Sequence, residues 1–100
     1  MNIVAVTACP TGIAHTYMAA AQLEKTAKKL GHNIKVETQG SMGIENELTA
    51  SDIKNAQFAI FAVEVPVRNK ERFEGLNVVE VSVQDAIKNP DAILARLEQS

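Results

Sequence analysis

Ile3, Val4, Ala5 and Val6 form an unbroken apolar run closed by the turn signals Pro10 and Gly12, the pattern of a strand covered on both faces. From Thr16 the period changes. Ala20, Leu23, Ala27 and Leu30 recur at helical spacing, while Glu24, Lys25, Lys28 and Lys29 lie towards the opposite face. Lys28 and Lys29 suit the negative end of the helix dipole, and Gly31 supplies the left-handed stop. Ile34 and Val36 then alternate with Lys35 and Glu37, which predicts an edge strand with one wet face. Thr49 with Asp52 opens a short helix carrying Ile53 and Ala56. Phe58 to Val63 is apolar throughout and predicts a central strand, and Val78, Val79 and Val81 predict a last short one. Asn89 as N-cap, Pro90 at the first helical position and the stripe Ile93, Leu94 and Leu97 mark a terminal helix.

Strands alternating with helices imply right-handed crossovers. The expectation is a three-layer α/β/α fold with a four-stranded parallel sheet, order 2-1-3-4, and helices on both faces. That order reverses direction between the first and third strands, and ligands in such sheets bind at the carboxyl edge of the reversal point. Cys9 falls at that edge.

Composition narrows the function classes. The chain has 100 residues, 46% hydrophobic and 22% charged, which reads as a single domain over 1–100. At this length folding hides roughly 60 to 70% of the open-chain surface, so one core suffices without staples. The lone cysteine excludes an internal disulfide framework and a multi-cysteine zinc site, and it fits the reducing cytoplasm. No apolar run approaches the roughly 18 to 20 residues of a membrane span, and no basic region leads into a secretory core, so direct membrane insertion is not expected. A net charge of −2 gives no reason to expect a nucleic-acid partner. Charge is nevertheless uneven, for no Asp, Glu, Lys or Arg occurs between Met1 and Leu23.

The segment Cys9-Pro10-Thr11-Gly12-Ile13-Ala14-His15-Thr16 joins the first strand to the first helix. Backbone N–H groups at a helix start lack intrahelical partners and converge on anions, and the same partial positive charge favours thiolate over thiol. Cys9 thereby becomes a candidate nucleophile and phosphate carrier. Gly12 lets amides approach a ligand closely, Thr11 and Thr16 offer hydroxyl donors, and no nearby carboxylate repels a phosphoryl group. Protein tyrosine phosphatases use a related loop of Cys, five residues, Arg and then Ser or Thr. Here His15 and Thr16 occupy the last two places, and an imidazole neutralises transition-state charge less well than a bidentate guanidinium. Such a site suits holding phosphate until another acceptor arrives.

Two motifs in the right order then carry a family resemblance. Ile3 to Thr16 resembles the phosphorylation loop, and Val36-Glu37-Thr38-Gln39-Gly40-Ser41 with Gly43 the second signature, of the B component (enzyme IIB) of fructose-type sugar permeases in the bacterial phosphoenolpyruvate-dependent phosphotransferase system. The similarity extends through Asn46-Glu47-Leu48-Thr49, the Phe58 to Val63 run and Arg72-Phe73 to about Pro90. The resemblance implies a phosphotransferase in which Cys9 takes phosphate from a phosphohistidine on the enzyme IIA component. Cys9 would then pass it to a sugar held by the membrane-embedded enzyme IIC component. It implies no cofactor and no metal, and a cytoplasmic chain transiently at the inner face of the membrane. Pro10 to Thr16 would bind the phosphate, and Gln39, Gly40, Ser41, Met42 and Gly43 would form a partner-docking loop beside Cys9. Glu64 stands where the family more often carries Asp.

The alternative reading is a low-molecular-weight phosphatase or an arsenate-reductase-like cysteine enzyme. It lacks the arginine six residues after the cysteine, and Asp52, Asp85 and Asp91 all read as helix-start residues rather than general acids. Arg68 reads as a solvated loop residue able to approach phosphate or a partner, and His32 as a surface residue remote from the Cys9 edge.

Overall fold

Seven residues, β1 (Asn2–Ala8), run through the middle of the sheet, and six of them are buried. The computed structural model describes residues 1–9, 13–40 and 43–99, the side chain of Ile13 excepted. Helix α1 (Ile13–Lys29) follows, then β2 (Asn33–Gly40), β3 (Gly43–Glu45), α2 (Ala50–Lys54), β4 (Phe58–Val63), a 3-10 turn (Lys70–Phe73), β5 (Asn77–Val81), α3 (Val83–Lys88) and α4 (Pro90–Glu98). Helix α1 starts three residues before the periodic stripe does, because its first turn carries no acidic residue to mark an outer face. It stops as expected, with Lys28 and Lys29 in the last turn and Gly31 at φ +82°.

Among the described residues the sheet order is β3-β2-β1-β4-β5. β2, β1, β4 and β5 are parallel and reproduce the expected order 2-1-3-4. The fifth strand corrects the all-parallel expectation. β3 pairs antiparallel with β2, with Thr38 opposite Glu45 and Gly40 opposite Gly43, so the sheet is mixed. Three residues are too few to show a period of two, which is why the pattern hid this strand. β3 also removes the edge position assigned to the end of β2, and with it the wet face: Glu37 is fully buried.

The two sheet faces build separate apolar layers. Ile3, Ala5, Val36 and Ile60 pack with Leu23 of α1 and with Ile93, Leu94 and Leu97 of α4. Val4, Val6 and Phe61 pack with Ile53 of α2 and with Leu48 and Phe73 on the other side. Phe61 meets Phe73 edge to face at 5.0 Å between ring centroids, the preferred aromatic geometry. Helix α2 is short, and its start is fixed locally. The Thr49 hydroxyl accepts from the Asp52 N–H at 3.0 Å, and the Asp52 carboxylate accepts from the Thr49 N–H at 2.9 Å.

Asn89 departs from its expected capping role. Its side chain makes no capping hydrogen bond, and its φ is −129°. The residue joins two helices, donating its N–H to the Asp85 carbonyl while its own carbonyl accepts from Ile93, so its conformation serves the end of α3 as well as the start of α4. Asp85 does lie at a helix start, where its N–H donates to the Ser82 hydroxyl at 3.0 Å.

Candidate functional site

Cys9 is the first residue beyond β1 and lies four positions before Ile13, where α1 begins. Because Ala8 pairs with Gln39 on one side and with Val63 on the other, the next row places Cys9 between Gly40 and Glu64. β1 leads through α1 to β2 in one direction, and β4 lies in the other. Cys9 therefore occupies the switch point, at the carboxyl end of the parallel strands, where open α/β sheets bind ligands. The thiol is half-buried, in no disulfide, and packs against the apolar layer under α1.

The site's local chemistry follows from what surrounds that row. Helix α1 has no acidic residue in its first turn, so the positive end of its dipole carries no carboxylate of its own. Ala14 and His15 are exposed on that turn, and Thr16 is buried on the inner side of α1. The expected phosphate-loop residues Pro10, Thr11 and Gly12, and the side chain of Ile13, lie outside the described residues. So do Ser41 and Met42 of the expected docking loop. The remaining members of that loop differ among themselves, since Gly40 and Gly43 are half-buried whereas Gln39 is 4% exposed. Gly43 sits at φ +111°, a conformation that favours glycine.

The nearest carboxylate in sequence to the β4 exit is already engaged. Glu64 donates its N–H to the Ala8 carbonyl at 2.9 Å, and its Oε1 accepts from the Val83 N–H at 3.0 Å. It thereby satisfies the first turn of α3. Tyr17, one turn into α1, donates its hydroxyl to Oε1 of Glu45 and ties the helix to β3. His32 is corrected from a surface residue. Its side chain is only 10% exposed, and its Nε2 lies 2.8 Å from the Glu98 carboxylate, at the end of the sheet away from Cys9.

Pattern reasoning missed the polar cluster beneath this edge. Glu37 Oε1 accepts from Arg72 Nη1 at 3.0 Å and from the Leu48 N–H at 2.9 Å. Its Oε2 accepts from Arg72 Nη2 at 3.0 Å and from Gln39 Nε2 at 2.6 Å. Burial pushes the Glu37 carboxyl up, but the donors from Arg72, Gln39 and Leu48 outweigh it and hold the group below the usual carboxylate range. Gln39 in turn holds the main chain of Arg68, whose side chain is exposed. A period-two pattern marks Glu37 as wet, so the only sequence signal was that Glu37, Gln39 and Arg72 all fall within the segments that carry the family resemblance.

Fold and site together define an α/β protein that offers one thiol at the switch point of its sheet, in front of a helix whose first turn carries no acidic residue. Comparison with known proteins gives that class a family. Residues 4–96 match the family described as "PTS system, Lactose/Cellobiose specific IIB subunit". The chain is 52% identical over 97 residues to "PTS system fructose-like EIIB component 2" of Escherichia coli strain K12, covering 97% of this chain and 92% of the relative. It is 47% identical over 98 residues to "PTS system fructose-like EIIB component 1" of the same organism, covering 98% and 91%. Among solved structures, a domain of a fructose-specific IIABC component from Borrelia burgdorferi superposes with a TM-score of 0.91 at 52% identity, covering 98% of this chain and 93% of that one. The solution structure of an enzyme IIB subunit from Escherichia coli K12 gives 0.92 at 47% identity, covering 98% and 91%. The chain belongs to the IIB components of the phosphotransferase system, on their fructose-like side. Among the described residues no helix is long and apolar enough to cross a membrane.

Proposed function

We propose that this chain is a phosphoryl carrier of a fructose-type phosphotransferase system and that Cys9 carries the phosphate. The position of Cys9 carries the reading: it stands at the switch point, four residues before α1, in a stretch without ionised side chains. The Cys9 thiolate attacks the phosphorus of a phosphohistidine on an A component, so that an S–P bond forms as the N–P bond breaks. Main-chain N–H groups of residues 11–14 hold the nonbridging oxygens, and His15 adds a donor from the exposed face of the first turn. In the second half-reaction a sugar hydroxyl on the membrane C component attacks the same phosphorus. The S–P bond breaks, the hydroxyl proton leaves to solvent or to the partner, and the thiolate is restored. Both partners reach the one sheet edge in turn, which calls for weak, transient contacts at the inner face of the membrane. The whole of 1–100 serves as one domain in this relay.

The test is a relay assay. Phosphoenolpyruvate, the general phosphotransferase proteins and a fructose-type A component are mixed with the chain, and intact mass is followed. One added phosphate is expected on the wild type and none on Cys9→Ser, with no turnover of an aryl phosphate by the wild type. Phosphate on His15 or His32 instead would refute the assignment to Cys9.

A further inference from the structure

The second signature motif places one buried carboxylate, Glu37, beneath the Cys9 edge, and that carboxylate is bonded to its own strand and to two other segments. Arg72 reaches it from the 3-10 turn with both terminal nitrogens, the Leu48 N–H from the loop after β3, and Gln39 from β2 itself. Gln39 then extends the chain of bonds, for its Oε1 accepts from the Arg68 N–H at 2.8 Å while its Nε2 donates to the Arg68 carbonyl at 3.2 Å. Arg72 Nε closes the same loop from its far end by donating to the carbonyl of Asn69 at 3.0 Å, and Asn69 is held at φ +57°. The 64–69 loop flanks the Cys9 row on the β4 side, and it is fastened to this cluster at Arg68 and at Asn69.

We propose that Glu37, Gln39 and Arg72 are positioning residues for phosphoryl transfer, which lock the 64–69 loop beside Cys9 into a rim of fixed shape that the phosphohistidine-bearing A component reads. The proposal rests on the carrier reading given above. None of the three touches the reacting atoms. Gln39 is buried, so its side chain acts on a partner through the Arg68 main chain, leaving the exposed Arg68 side chain on a loop that cannot drift. A rim held in advance lowers the ordering cost of each encounter, which shows as affinity for the partner rather than as speed of the chemical step.

Gln39→Met tests this, because it keeps the side chain's length and removes both bonds to Arg68 together with the one to Glu37. The variant should remain folded, with faster hydrogen exchange at the Arg68 amide. In the relay assay the KM for the A component should rise on the order of tenfold while the saturating rate of Cys9 phosphorylation stays within about twofold. Arg72→Lys keeps the charge but loses the two-pronged grip on Glu37, and it should move KM in the same direction; it serves as the readout if Gln39→Met does not fold. An unchanged KM despite fast exchange at Arg68 would overturn the proposal, and so would a fall in the saturating rate at unchanged KM. A wild-type chain that takes no phosphate would overturn the carrier reading and this one together, whereas a phosphorylated wild type with unaltered variants sinks this one alone.

Discussion

The Thr7 hydroxyl donates to the main-chain carbonyl of Thr16 at 3.2 Å, and both residues are buried. This bond joins the last turn of β1 before Cys9 to the first turn of α1 after it. It thus closes the base of the loop that contains the thiol. Thr7→Val keeps shape and removes the donor. The Thr16 carbonyl retains its intrahelical partner, so the loss should be about 1 kcal/mol, measured by urea denaturation. Phosphorylation of Cys9 should slow together with it, since α1 is then less firmly registered on β1. Wild-type kinetics in a destabilised Thr7→Val would separate the bond from the site.

Glu37 and Arg72 form a charge pair whose acid is solvent-inaccessible and whose base is 21% exposed. Removing one partner of such a pair leaves an uncompensated buried charge and costs about 3 to 5 kcal/mol, whereas apolar replacement of both costs far less. Glu37→Leu and Arg72→Met should each be strongly destabilising, and the double variant should be more stable than the sum of the single effects requires. Urea denaturation of the four proteins gives the coupling directly, and additive losses would show that the pair does not act as a unit.

The same carboxylate shows where sequence reading stopped. The central strands were legible because Val4, Val6, Ala59 and Phe61 face one apolar layer while Ile3, Ala5 and Ile60 face the other, so both strands read as apolar without interruption. Switch-point placement of Cys9 followed from that reading alone. Glu37 was illegible because alternation reports polarity, not burial, and only the arrival of Arg72, thirty-five positions later in the chain, makes its burial affordable. His32 failed likewise, its partner Glu98 lying sixty-six positions away. β3 failed for a different reason, since three residues contain no period. Local chemistry fared better: the Thr49 and Asp52 capping pair needs only four consecutive residues, and it was found.

His15 stands exposed on the first turn of α1, six positions after Cys9. If its imidazole donates to the phosphoryl group, His15→Ala should slow Cys9 phosphorylation on the order of tenfold, the usual worth of one hydrogen bond to a charged group. Thermal stability should change little, as for most exposed substitutions. Unaltered transfer kinetics would remove His15 from the mechanism.

Acid should unfold the protein through a small set of carboxyls. Asp52 is held down to about 2 from an ordinary 3.8 by the Lys35 ammonium and by the Thr49 main-chain and hydroxyl groups, and Glu37 is held below an ordinary 4.5. A carboxyl with a depressed folded value contributes stability that is complete above its unfolded value and disappears as pH falls through the folded one. The contribution of these two groups should therefore be flat from pH 7 down to about 5 and decline below about 4. Asp52→Asn should flatten the part of that decline between about 4 and about 2. Its effect should shrink in high salt, since the Lys35 partner is 44% exposed. An unchanged acid limb in Asp52→Asn would show that the pair does not stabilise the fold.

Tyr17 is the only tyrosine in the chain, so its phenolate absorbance reports one site without assignment. Its hydroxyl donates to the Glu45 carboxylate, which favours the protonated phenol; partial desolvation and the negative charge of Glu45 act in the same direction, raising the group above its ordinary 10.0. The titration midpoint should lie above 10 in the wild type and return towards it in Glu45→Gln, where the amide still accepts a hydrogen bond but no longer repels a phenolate. Tyr17 and Glu45 join α1 to β3, so the midpoint also monitors the attachment of that strand. Phosphate on Cys9 adds negative charge at the start of the same helix and should raise the midpoint further. A midpoint at 10.0 in the wild type would mean that the bond does not persist in solution, and that β3 is joined to the fold through β2 alone.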